Sequence, residues 1–188
     1  MRFFSEVGFE GQTRALAQRL GVTQPLLYRY FPDKDALIER VFSEVVGGSW
    51  DPNWETVLTD RSRPLAKRLT EFYVTYSRAN FRYERVRLLM FASLKNHAAA
   101  SSYLALIRER LFVPLVRELR AEAKLPEAPP IHEDEIACVA GLHGAIGYVV
   151  TRCGIDGKPA ADELVARQVA TFLNGAASTL SSLAATAQ

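Results

Sequence analysis

A chain of 188 residues with 48% hydrophobic content is long enough to bury a full core, which excludes a disordered polar segment and suits one large domain or two small ones. No run nears the roughly 18 consecutive apolar residues of a membrane span, and the first residues lack the apolar stretch of a signal peptide. The formal charge of +2 hides an asymmetry: residues 61–120 hold thirteen basic and four acidic side chains, whereas residues 121–188 hold four and eight. The expectation is a cytoplasmic protein without membrane contact. Cys138 and Cys153 are too few for a disulfide framework and are expected to be small buried or half-buried side chains.

Apolar residues recur at spacings of three and four and alternating β-branched runs are absent, so the predicted fold class is all-α, with about nine helices. They are expected at 2–7, 13–20, 25–31, 33–46, 63–79, 81–95, 101–124, 133–152 and 162–183. The composition shift at Gly47-Gly48-Ser49 divides an N-terminal three-helix domain, 1–46, from a larger helical bundle, 47–188.

Within the first domain, the run from Thr13 to Phe31 reads as two helices crossing steeply. Leu16 and Leu20 are expected on the inner face of the first helix, Ala17 allows close approach, and Gly21 suits the left-handed end of a helix. Thr23 is a candidate N-cap, Pro25 fits the first helical turn, and Leu27 and Phe31 should turn inward. The outward face then holds Gln24, Leu26, Tyr28, Arg29 and Tyr30. Arginine and glutamine can pair with base edges, leucine can touch a thymine methyl, and tyrosine hydroxyls can bond phosphate. Asp33 is placed to cap the next helix. Lys34 then lies in that helix's N-terminal turn, where charge, dipole and free N–H groups favour phosphate.

Past the boundary, Leu65, Leu69, Phe72 and Tyr76 form one stripe and Leu104, Ile107, Leu111 and Leu115 another. The helix at 81–95 is apolar on nearly every side and should be central. Pro114 should remove a backbone bond and kink the helix at 101–124. Ile136, Val139, Ala140, His143, Ile146 and Val150 line one face of the helix at 133–152, with Gly141, Gly144 and Gly147 permitting close approach. Leu173, Ala177 and Leu180 lie on the last helix. These two stripes are the candidate dimer interface, four helices across a twofold axis. Candidate walls of a ligand pocket are Phe72, Tyr76, Met90, Phe91, Leu94 and Ile107, with His97 and His143 as polar anchors. Arg78, Arg82, Arg85 and Arg87 read equally as an anion-attracting group or a solvated face.

The run from Gly8 to Leu37, with its pattern Gly-Val-x-x-x-x-Leu-Tyr-x-Tyr-Phe-x-x-Lys-x-x-Leu, closely resembles the DNA-binding domain of the TetR/AcrR family of bacterial transcriptional regulators. The resemblance implies that Thr13 and Arg14 open a helix touching backbone and a base edge. It implies too that Thr23, Gln24, Leu26, Tyr28, Arg29 and Tyr30 lie on the recognition helix, with Lys34 gripping phosphate. Its further implications are a homodimer on palindromic double-stranded operator DNA, an effector-binding and dimerising domain over 47–188, and release of a repressor by a small, largely apolar effector. Fewer apolar helical residues precede Gly8 in this sequence than in most members, which a short first helix and a late start explain equally, and the loop Gly11-Gln12-Thr13 is one residue shorter than in many.

Two other readings compete. One is a DNA-binding regulator with no small-molecule ligand, its large domain serving dimerisation or a protein partner. The other is a helical enzyme, which the sequence disfavours: it has no HExxH, GxSxG, Walker or dinucleotide pattern and no metal-spaced cluster. His132-Glu133-Asp134-Glu135 reads as an acidic helix start. No cofactor, metal or catalytic residue is expected.

Overall fold

The periodicity of the chain is expressed as helix throughout. A computed structural model describes the backbone of residues 1–47, 50–94, 98–125, 130–155 and 162–186, and their side chains apart from those of 45–47, 98–99, 154–155 and 176–186. In chain order the α-helices are α1 (Arg2–Val7), α2 (Thr13–Arg19), α3 (Gln24–Tyr30), α4 (Lys34–Gly47), α5 (Asn53–Thr59), α6 (Leu65–Asn80), α7 (Tyr83–Leu94), α8 (Ala98–Ile107), α9 (Val113–Glu122), α10 (Glu133–Ile155) and α11 (Asp162–Thr186), with a π-helical stretch, Arg108–Phe112, joining α8 to α9. The chain is all-α, and every regular element among the described residues is helical.

The described residues divide into two compact units, Met1–Trp50 with Tyr83–Tyr103, and Asp51–Arg82 with Leu104–Gln188. The first unit therefore runs past residue 46 and also takes in α7. Its core is a set of phenylalanines meeting edge to face, Phe4 against Phe9 at 6.0 Å and Phe9 against Phe42 at 5.7 Å. Leu16, Leu27, Leu37, Ile38, Leu88 and Ala92 complete it. Aromatic pairs of this geometry add about 0.5–1.5 kcal/mol each beyond the area they bury. Phe91 of α7 lies over Gly8, whose φ of +73° and lack of a side chain suit both the turn after α1 and the ring above it.

In the second unit the stripe on α6 is the hub. Leu69, Phe72, Tyr73 and Tyr76 are fully buried and share their core with Leu115 and Val116 of α9, Val139 and Ile146 of α10, and Val165 and Val169 of α11. Helix α5 lies in a stretch expected to be a break. Its seven residues carry Trp54, Val57 and Leu58 as apolar positions over barely two turns, too short a stretch for a periodic signal. Tertiary packing holds it instead: the Trp54 indole donates to Thr75 Oγ1 at 3.0 Å, and its ring meets Phe72 and Tyr76.

Two further expectations change. Helix α7 is not central: only Leu88 and Ala92 are buried, while Met90 and Leu94 are exposed, Leu94 by 81%. In its own unit α7 packs against α1, so one face is covered. The expected single helix 101–124 is interrupted by the π-helical stretch, where the Val113 N–H reaches back five residues to the Arg108 carbonyl. Pro114, at the start of α9, has no N–H for the regular ladder, and the wider turn before it accommodates that loss.

Among the described residues one helix, within α10 at Glu133–Cys153, has the length and composition to cross a bilayer. Val139, Leu142 and Ile146 of that helix are buried within the second unit.

Candidate nucleic-acid interface

The geometry of α2 and α3 follows from a few local choices. Past Leu20 the chain turns at Gly21, where φ is +68°. Val22 N–H then bonds the Ala17 carbonyl at 3.0 Å, and Gly21 N–H bonds that of Gln18 at 3.1 Å. This paired pattern satisfies the last carbonyls of α2 and requires a left-handed residue at the turn, which glycine supplies without strain. Thr23 caps α3 by accepting from Leu26 N–H, and Asp33 accepts from Ala36 N–H at 2.7 Å before α4. Leu16 and Leu27 are buried and Phe31 packs on the same core, as expected. Leu20 is not: it is exposed, because the chain has turned away at the end of α2 and carries its side chain off the inner face.

The outward face of α3 presents Leu26, Tyr28, Arg29 and Tyr30, the last 73% exposed. Arg14 is exposed at the start of α2, and Lys34 is half-buried as the first residue of α4. Charge partners separate these cations from their neighbours. Arg19 is held by Glu6 and Arg40 by Glu44, whereas Arg14, Arg29 and Lys34 make no ion pair among the described residues. Arg2 of α1 is likewise exposed without an ion pair among the described residues, so unpaired positive charge is carried by α1 as well as by α2, α3 and α4.

Thr13, Gln24 and Tyr28 are brought together differently. Thr13 is only 7% exposed. Its Oγ1 accepts from Gln24 Nε2 at 3.0 Å and shares a hydrogen bond of 2.9 Å with the Tyr28 hydroxyl. Gln24 and Tyr28 lie one turn apart on α3, so both reach the first residue of α2. The three side chains form a polar pin between the helices. It leaves the Gln24 carbonyl oxygen and one amide hydrogen uncommitted.

Residues 1–41 match the family model of bacterial regulatory proteins, tetR family. The N-terminal segment is a tetR-family domain. The chain is accordingly a DNA-binding transcriptional regulator. No curated protein and no solved structure matches the chain.

Sequence reasoning missed how this tetR-family domain is braced. Arg87 of α7 donates to the carbonyls of Ser5 and Glu6 at the end of α1, with its guanidinium against the Tyr83 and Phe91 rings. Glu6 in turn holds Arg19 of α2 in a bidentate pair, which keeps its carboxyl below the usual range. Nothing in the spacing of these residues signals contacts some eighty positions apart. Arg78, grouped with Arg87 in the sequence, instead pairs with Asp162.

Of the residues expected around a ligand, Phe72, Tyr76, Ile107 and His143 lie in the second unit. Tyr76 and His143 are in ring contact at 5.5 Å. Met90, Phe91 and Leu94 belong to the first unit, and His97 lies outside the described residues. Tyr73, Phe81 and Phe112 also surround His143, at 5.5–6.0 Å. Its buried Nδ1 has no hydrogen-bond partner among the described residues, and burial lowers its pKa to about 4. Because the folded value lies below the ordinary 6.5, the unfolded chain takes up this proton first, and stability is lost as pH falls through the interval from 6.5 to 4. The loss should total on the order of 3 kcal/mol. Urea denaturation at pH 7 and pH 4.5 should show His143→Phe losing markedly less than the parent chain; equal losses would exclude a buried neutral imidazole.

Of the residues expected at a dimer interface, Ile136, Val139 and Ile146 face the second unit's own core. Ala140, His143, Val150 and Leu173 are partly covered, and the side chains of Ala177 and Leu180 lie outside those described. The exposed stripe of α10 is a different one, Ala137, Gly141, Gly144 and Tyr148. Added side chains at Gly141 and Gly144 would meet nothing, so that face is open and flat. Cys138 is half-buried and Cys153 buried, both as free thiols, and the described residues hold no metal-ligating cluster.

Proposed function

We propose that the protein is a homodimeric cytoplasmic repressor that binds palindromic operator DNA through α2 and α3 and leaves it when a small, largely apolar effector binds. In this reading 1–46 is the DNA-binding part and 47–188 the effector-binding and dimerising part. The observation that carries it is the exposed α3 face, bordered by Arg14, Arg29 and Lys34 without ion-pair partners. Such charges favour phosphate and base edges over intramolecular pairing.

A single helix-turn-helix buries too little DNA for operator-grade affinity, so two copies must present α3 about 34 Å apart. The open stripe at Gly141, Gly144 and Tyr148 of α10 supports pairing through the last two helices, with Leu173, Ala177 and Leu180 of α11 as proposed further contacts. The proposed effector contacts are Phe72, Tyr76, Ile107 and His143 of the second unit. The unsatisfied imidazole supports this assignment, because a buried polar atom without a partner favours a ligand that supplies one.

Gel-shift titration of the protein against the DNA upstream of its own gene tests the reading. A shift that follows dimer concentration and weakens steeply with salt is expected. No shift at low salt, or one unaltered when Tyr28 and Arg29 are both changed to alanine, would remove the proposal.

A further inference from the structure

Helix α1 has six residues, too few to hold its place alone, and its last turn carries carbonyls with no helical partner. Gly8 N–H takes the carbonyl of Phe4. Those of Ser5 and Glu6 are taken by the Arg87 guanidinium, reaching in from α7. A cation is also favoured there by the helix dipole. Arg87 is itself confined: its guanidinium lies 5.4 Å from the Tyr83 ring and 5.3 Å from the Phe91 ring, one turn to either side on α7. Phe91 in turn lies over Gly8, and Ser5 is fully buried, so α7 covers the end of α1.

The same turn of α1 reaches α2. Glu6 gives its carbonyl to Arg87 and its carboxylate to Arg19, which grips it with two nitrogens. Arg19 is the last residue of α2, and Thr13, the first, holds Gln24 and Tyr28 of α3. A series of directed contacts thus runs from α7 through the end of α1, along α2 and on to α3, all inside the first unit. Stability alone does not account for it. The Glu6 and Arg19 side chains are 43% and 44% exposed, and a pair so exposed contributes little to folding. What the pair does supply is geometry, because a two-nitrogen grip on a carboxylate fixes direction as well as distance.

We propose that Arg87 is a positioning residue for DNA recognition: by capping α1 it fixes Glu6, Glu6 fixes Arg19, and the angle at which α2 presents α3 follows. This rests on the proposed reading of α2 and α3 as the DNA-contacting helices. Contacts to base edges depend on that angle, whereas attraction to phosphate tolerates a change in it. Loss of Arg87 therefore costs affinity for operator more than affinity for random DNA. Lysine does not replace it, since one ammonium lacks the flat fork that bridges two carbonyls while lying against rings.

The full-length protein is titrated with DNA from upstream of its own gene and with a random duplex of equal length, at several salt concentrations and well below each variant's midpoint of unfolding. Arg87→Met should weaken the upstream DNA about tenfold and the random duplex far less, at an unaltered salt slope. Arg87→Lys, which keeps the charge, should still lose discrimination several-fold. Lys67→Met removes an equal charge from an exposed position on α6 and should change neither DNA. Arg87 and Arg19 meet the same residue, so Arg19→Met should add little to Arg87→Met in the double variant. The proposal is overturned by upstream affinity within about twofold of the parent in Arg87→Met, by equal losses on both DNAs, by full rescue with lysine, or by additivity with Arg19→Met. Arg29→Ala, run in parallel, tells the two readings apart. If it is inert, the DNA-contacting role of α3 fails and takes this inference with it; if it weakens binding while Arg87→Met does not, this inference alone fails.

Discussion

Replacing Glu118 with alanine should destabilise the protein by about 3–5 kcal/mol, the largest effect expected of any surface-to-core charge removal here. Glu118 is buried and its carboxylate is the shared partner of buried Arg68 and half-exposed Arg61. Removing it leaves the Arg68 guanidinium in a dry site with only the Leu58 and Arg63 carbonyls as acceptors. A charge in that position loses its hydration without compensation. The midpoint of thermal unfolding should fall on the order of 10 °C. Arg61→Ala should behave differently, because its side chain is 55% exposed and Glu118 keeps its buried pairing with Arg68 when Arg61 is removed. Its cost should stay near or below about 1 kcal/mol. Exchanging both buried partners, Arg68→Met with Glu118→Leu, should recover much of the loss of Glu118→Ala, since no unpaired charge then remains. Denaturant titration of the three variants decides the matter: a Glu118→Ala cost no greater than that of Arg61→Ala would mean the carboxylate is solvated, not buried.

That network also marks where the sequence ceases to be readable. The turn and caps of the tetR-family domain are local signals, and each is present where spacing puts it: Gly21 left-handed, Thr23 and Asp33 as caps, Leu16 and Leu27 inward. Local chemistry dictates these, so local reading finds them. Helix α5 was hidden because its stability comes from Trp54 packing on α6, a contact that no periodicity encodes. The apolar content of α7 suggested a central helix, yet composition cannot tell how many neighbours a helix will have, and Met90 and Leu94 remain exposed. On α10 two stripes compete for burial. The β-branched one, Ile136, Val139 and Ile146, takes the core because it buries more apolar area, leaving the glycine stripe outside. On the exposed face of α3 the residue types were legible, while the hydrogen bonds linking Thr13, Gln24 and Tyr28 required the crossing of two helices to be known.

Those bonds separate positioning from contact in the second large effect. Arg29→Ala should weaken operator binding by about 10–100-fold and narrow the gap between operator and random DNA, as expected for loss of a base-edge contact. Lys34→Ala should weaken both DNAs alike and reduce the slope of log affinity against log salt by about 1, as expected for a phosphate contact. Tyr28→Phe removes only the hydroxyl that meets Thr13 Oγ1. With the pin as the main task of that hydroxyl, Thr13 Oγ1 loses its second anchor and holds the Gln24 amide less firmly. Discrimination then falls several-fold at an unaltered salt slope, in keeping with one hydrogen bond of about 0.5–1.5 kcal/mol. A hydroxyl that spends its bond on phosphate gives the pattern of Lys34→Ala instead. Thr13→Val supplies the cross-check: being nearly buried, Thr13 offers DNA little surface, so its loss should reproduce the Tyr28→Phe pattern and add little to it in the double variant. Additive effects of Thr13→Val and Tyr28→Phe would show that the two hydroxyls act separately and that the pin does not orient the reading face.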